Sequence, residues 1–232
     1  MNLALDKCLV IRLGSRSSSP PSVCTYKLYN QPIKVSCSTK DLGVVVDDRL
    51  KFSEHISSIV HKALTRCRLI FKCFSSRNCD LLVKAYITYV RPLLEYCSSV
   101  WSPHHRYLID KIEKVQKFFT KRIPGMWNIP YTERLVRLGF HSLERRRTVS
   151  DLVLCYKIVS GCLDTSLSSF LTLKTNLRTR GHDKRLNVLS FASDMAKFTF
   201  INRTIPLWNN LPSHIVNAPS IAAFKRSLFK SL

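Results

Sequence analysis

The spacing of apolar residues along this chain changes once, at Ser53. Before it the apolar runs are short. Residues 8–13 (CLVIRL) read as a buried strand, 23–29 (VCTYKLY) alternate apolar and polar, 33–37 (IKVSC) continue as a strand, and 42–47 (LGVVVD) form a β-branched run beside Gly43. The composition of 15–22 (SRSSSPPS) is that of a loop, and Asn30, Gln31 and Pro32 turn the chain. These strands predict a small antiparallel β-meander, too small to make a domain alone. From Ser53, placed as an N-cap, Ile56, Val60, Ala63, Cys67, Ile70 and Phe74 recur at helical spacing. A second helix is predicted from Asp80, with Leu82, Tyr86, Tyr89 or Val90, Leu93, Cys97 and Trp101 as its stripe and Pro92 kinking or splitting it. A third runs over 107–123 with Leu108, Ile112, Val115 and Phe119 inward. Residues 124–130 (PGMWNIP) mark a boundary. Beyond it, one helical stretch precedes a longer helix capped by Ser142 and ended by Gly161, with Tyr131, Leu135, Leu138, Leu143 and Leu152 as core. Residues 172–190 are polar and basic and read as loop; Trp208, Asn209 and Pro212 form a corner in which the indole buries and the asparagine ties up turn amides. An amphipathic helix closes the chain. The expected class is α+β and predominantly α: strands over 1–52, a three-helix bundle over 53–123, and a mainly helical region over 131–232.

Charge sharpens this picture. The 232 residues hold 37 Lys+Arg against 15 Asp+Glu, a formal net charge of +22. A surplus of that size favours polyanionic partners, nucleic acid first. It concentrates on two helical faces, Lys62, Arg66, Arg68 and Lys72 on the first helix and Lys111, Lys114, Lys117, Lys121 and Arg122 on the third. Too few acids accompany them for intrahelical ion pairs to absorb the charge. Arg91 is placed to bond carbonyls freed by Pro92 or a backbone phosphate. Arg180 and His182, in RTRGHDKR, sit among cations, which suits a phosphate contact and not a metal. The aromatic stripe from Tyr86 to Trp101 reads as core, and His104 and His105 as loop residues.

Other chemistry is thin. The nine cysteines form no C-x-x-C pair and read as reduced thiols of an intracellular protein; Cys155, Cys162 and His182 come nearest to a zinc set and are too sparse. The N-terminal apolar stretch is too short and interrupted for a secretory signal, and no run approaches the ~20 apolar residues of a membrane span. Asp47 and Asp48 form an acidic pair of the kind two-metal polymerases carry at a strand end. A two-metal site needs a third carboxylate; only Asp6 and Asp41 are near in sequence. The pair therefore reads as a strand end leading into Ser53, and no catalytic or metal-ligating residue is assigned.

Several stretches, in order, carry a resemblance: NLALDKCLVIRLG (2–14), KDLGVVVDDRLKFSEHI (40–56), AYITYVRPLLEYCSSVW (85–101), IEKVQKFFTKRI (112–123), RLGFHSLERRRTVSDLVLCYKIVSG (137–161), TRGH (179–182), and RTIPLWNNLP (203–212) followed by FKRSL (224–228). The set resembles the C-terminal part of a non-LTR retrotransposon (LINE-type, Jockey-like) reverse transcriptase. The resemblance implies that residues 1–13 are the last palm segment, 23–50 primer-grip strands, 53–123 the thumb and 131–232 the C-terminal region. It places the family's aromatic-x-Asp-Asp turn before the segment matching Leu5, so this chain is expected to lack it and to need no cofactor of its own. Magnesium is implied only for the full-length family. The implied partners are RNA or an RNA–DNA hybrid, no membrane, and the palm and fingers portion of a polymerase. A domesticated protein-interaction module and a segment of an active split polymerase remain alternatives.

Overall fold

Four of the six short strands are paired through two-residue turns whose backbone is left-handed. The computed structural model describes residue 4 and residues 7–14, 26–163, 166–175, 181–191 and 193–231. The loop at 15–22, Asp6 and Arg180 lie outside these. Strands β1 (Leu9–Val10), β2 (Lys27–Leu28), β3 (Gln31–Pro32), β4 (Lys34–Val35), β5 (Ser38–Asp41) and β6 (Val44–Asp47) form three two-stranded ladders. β2 pairs antiparallel with β3 and β5 with β6, whereas β1 pairs parallel with β4. At the β5–β6 turn Leu42 has φ 43° and Gly43 φ 90°; at the β2–β3 turn Tyr29 and Asn30 have φ 51° and 63°. Positive φ at both central residues matches the twist of a hairpin. A continuous antiparallel meander is therefore not what forms. β5 (STKD) has no apolar alternation, so the period of two could not reveal it; the turn beside it sets the pairing.

The chain divides into two units, Met1–Ile59 and Val60–Leu232, and the division falls inside α1 (Ser53–Cys73). In the first unit the start of α1 is fixed by β6. The Asp47 carboxylate accepts N–H bonds from Arg49 (3.1 Å), Lys51 (3.0 Å) and Phe52 (2.6 Å). The Val45 N–H donates to Nδ1 of the buried His55 at 3.2 Å. The helix starts at Ser53 itself, with Ile56 N–H on the Phe52 carbonyl at 2.9 Å.

The second unit is helical: α2 (Cys79–Ala85), α3 (Arg91–Glu95), α4 (Ser98–Trp101), α5 (Arg106–Lys121), α6 (Tyr131–Arg137), α7 (Leu143–Val159), α8 (Asp194–Lys197), α9 (Phe200–Asn209), α10 (Ser213–Val216) and α11 (Ile221–Ser231). A π-helical turn, Tyr86–Val90, joins α2 to α3, and the Arg91 N–H reaches the Tyr86 carbonyl. Pro92 explains it. Proline offers no N–H and its ring crowds the preceding turn, and widening the helix by one residue relieves both without a break. The break comes later, at Cys97 (φ 51°), where the Tyr96 carbonyl is taken by Trp101 Nε1–H at 2.7 Å. Further on, Ser142 Oγ caps α7 by accepting the Arg145 N–H at 3.2 Å. At its other end Gly161 (φ 68°) donates to Ile158 O at 3.1 Å and Cys162 to Lys157 O at 2.9 Å, the paired bonds of a glycine-ended helix.

Helices on both sides of residues 124–130 share one polar core, so the chain does not separate there. Tyr86 O–H donates to Gln116 Oε1 at 3.0 Å; Gln116 Nε2 donates to Tyr131 Oη at 3.0 Å and to the His141 carbonyl at 2.9 Å. Tyr131 O–H in turn donates to the Glu113 carboxylate, which also accepts the Leu143 N–H at 3.0 Å. Arg146 forks onto Glu95, and Arg203 pairs with Asp151 at 2.9 Å. An apolar cluster gathers Leu152, Tyr156, Trp208, Ile215, Phe224 and Leu228. There the expected corner forms: Trp208 Nε1–H donates to Lys184 O at 2.7 Å, and the Asn209 amide bonds both N–H (2.8 Å) and C=O (2.9 Å) of Leu186. The protein is α+β and predominantly α.

Candidate nucleic-acid interface

A helix that buries one stripe must expose the other, and in α1 and α5 the exposed part is cationic. Val60, Ala63, Cys67 and Ile70 are buried on α1, and Lys62, Arg66, Arg68 and Lys72 are exposed. On α5, Leu108, Ile112, Val115 and Phe119 are buried, Lys114, Lys117, Lys121 and Arg122 exposed, and Lys111 half-buried. The two helices meet through Phe71 and Phe119, whose ring centroids are 4.8 Å apart. Among the described residues none of those eight exposed cations is paired with a carboxylate; the ion pairs belong to Arg91, Arg106, Arg137, Arg146 and Arg203. Three of the eight lie on aromatic rings instead. Lys117 Nζ is 5.3 Å from the Tyr131 centroid, Lys121 Nζ 4.5 Å from that of Trp127, and Arg122 Cζ 3.6 Å from that of Phe118. Rings hold a cation's position without neutralising it, so the charge stays available to an anion.

Two expected phosphate ligands lie elsewhere. Arg91 is half-buried, 3.8 Å from Glu95, and its pKa is lowered by burial and then by the neighbouring Arg146 guanidinium, against the pull of Glu95. It belongs to the helix-packing network. His182 is 2% exposed, with Nε2 3.0 Å from the Trp208 carbonyl and its ring edge-on to the indole. Its place in a basic stretch suggests a phosphate contact; burial against Trp208 removes it from the surface. Sequence pattern alone does not single out Arg77 or Trp127, which line a concavity at the end of α5. A tryptophan in a turn, outside any helical stripe, is the signal that could have found the second.

Asp47 serves the backbone. Both Asp47 oxygens are taken by backbone N–H groups. Among the described residues, no three His, Cys, Asp or Glu side chains gather as metal ligands. No helix of the described residues is long and apolar enough to cross a membrane. The eight described cysteines are free thiols, and burial pushes those of Cys67 and Cys155 up to about 12.

Fold and surface together define a predominantly helical α+β protein with two uncompensated basic helix faces. The chain is similar to the uncharacterized protein B0403.1 of Caenorhabditis elegans, 33% identical over 124 residues, which cover 52% of this chain and 63% of that relative. It thus spans less than two thirds of the relative's length. No protein-family model matches the chain. No solved structure matches it.

Proposed function

We propose that this chain is a retrotransposon-derived reverse-transcriptase fragment that binds RNA or an RNA–DNA hybrid through α1 and α5. The ordered motifs from residue 2 to residue 228 support the derivation. The observation that carries the binding is the set of eight exposed cations without carboxylate partners. Lys62, Arg66, Lys114 and Lys117 would neutralise backbone phosphates, and release of condensed counterions would drive association. Binding of this kind follows the shape of the duplex and carries little sequence preference. No step of nucleotide transfer is assigned to these residues.

The test is a titration of the purified chain with a short labelled RNA–DNA hybrid across a range of salt. Expected is binding whose log K falls against log salt with a slope of about −3 or steeper, at ~0.9 per phosphate neutralised, equal for hybrids of unrelated sequence. Absent binding, or binding indifferent to salt, would overturn the reading.

A further inference from the structure

The turn that follows α5 builds a concavity which phosphate binding along the helix faces leaves unexplained. It is an open depression of about 480 Å³ lined by Phe71, Arg77, Lys121, Arg122 and Trp127, and no acidic residue lines it. Gly125, at φ +77° with open space where a Cβ would stand, reverses the chain after Ile123. The Met126 N–H closes the turn on the Ile123 carbonyl at 3.0 Å. This places Trp127 beside the end of α5.

Trp127 is 65% exposed, whereas Trp101 and Trp208 are 1% and 0% exposed. Lys121 Nζ is 4.5 Å from its ring centroid. Arg122 lies on Phe118 and bonds the Phe118 carbonyl through Nη1 at 3.3 Å; Arg77 Cζ is 6.0 Å from the Phe71 centroid. Three cations held near aromatic surfaces thus flank an indole that carries Lys121 over its ring and is otherwise largely exposed. A planar base stacks on such an indole while its flanking phosphates meet the cations. An acidic peptide would use the cations and leave the indole without a planar partner.

We propose that this concavity takes one unpaired nucleotide of a nucleic-acid strand, its base stacked on Trp127 and its phosphates on Arg77, Lys121 and Arg122. The proposal rests on the reading that the basic faces hold nucleic acid, and deepens it by making the preferred ligand a duplex that continues into a single strand.

Trp127 reports on itself, because the other two tryptophans are buried. The full chain is titrated with polyglutamate and with three RNA–DNA hybrids of equal duplex length: blunt, with a three-nucleotide RNA overhang, and with the same overhang made abasic. Quenching of tryptophan emission by the base-bearing overhang is expected, with none from the blunt or abasic hybrid. Trp127→Phe should remove the quenching. Trp127→Ala should weaken overhang binding about tenfold more than it weakens blunt-hybrid binding. Equal binding of all three hybrids, equal quenching by the abasic overhang or by polyglutamate, or overhang affinity that falls no more than blunt-hybrid affinity in Trp127→Ala overturns the stacking site and leaves the phosphate-binding reading standing. Failure of every hybrid to bind overturns both.

Discussion

Asp47 shows how a carboxylate can resemble catalytic machinery and serve the backbone. Its two oxygens accept the amides of Arg49, Lys51 and Phe52, and so carry the chain from β6 into α1. Removing it should expose those amides. Asp47→Ala is expected to cost roughly 1–2 kcal/mol, in the range of a missing helix cap, with Asp47→Asn costing less because one acceptor oxygen remains. Hydrogen exchange at residues 49, 51 and 52 checks this, and unchanged protection would contradict it. The thiols divide as sharply. Burial raises Cys67 and Cys155 to about 12, while Cys37, Cys73, Cys97 and Cys162 are exposed. Alkylation at pH 8 should therefore modify these exposed four and spare the buried two until the protein unfolds. A raised thiol pKa stabilises the fold fully below the unfolded value, and that contribution is lost as pH climbs through about 12. Burial separates these cysteines, and the helical stripe in the sequence marks Cys67 as inward; the same local spacing could not reveal that His182 lies under Trp208, since the two residues are 26 apart.

Among the elements, helix positions and ends were legible because local chemistry fixes them. Ser142 and Gly161 bound α7 as their cap chemistry requires, and Pro92 disturbs the second helix where it stands. What local chemistry could not supply was the form of the disturbance, a π-turn, and the continuity across residues 124–130. Pro124, Gly125 and Pro130 suggest a boundary, yet Tyr131 reaches back to Glu113 and Gln116 on α5. The strength of that tie depends on groups remote in sequence. Tyr131→Phe should destabilise the fold by about 1–2 kcal/mol, since it deprives the buried Glu113 of a donor and Gln116 of an acceptor. Glu113→Ala should cost more, because the Leu143 N–H and Tyr131 O–H would both be left without their acceptor. Urea denaturation of the two variants provides the comparison; equal stability to the parent chain would contradict the network's role. Burial, and then the neighbouring Glu113 carboxylate, raise the Tyr131 pKa, so this phenol's contribution to stability is present below the usual tyrosine value near 10 and is lost at higher pH.

At the scale of the whole molecule, the surplus of 37 cationic over 15 anionic side chains was plain in the sequence, and so were the two helices that present much of it. The concavity at Trp127 was not, because it needs Phe71, Arg77 and the end of α5 brought together. The central claim is that α1 and α5 bind nucleic acid by neutralising phosphates, and one comparison tests it most directly. Lys62, Arg66, Lys114 and Lys117 are all exposed, so replacing the four with alanine should leave the circular-dichroism spectrum and the urea midpoint unchanged. Hybrid binding is then measured against salt for the parent chain and the variant. A weaker affinity at low salt, and a slope shallower by about 0.9 for each phosphate no longer neutralised, is the predicted result. The same affinity and the same slope in both chains would contradict it.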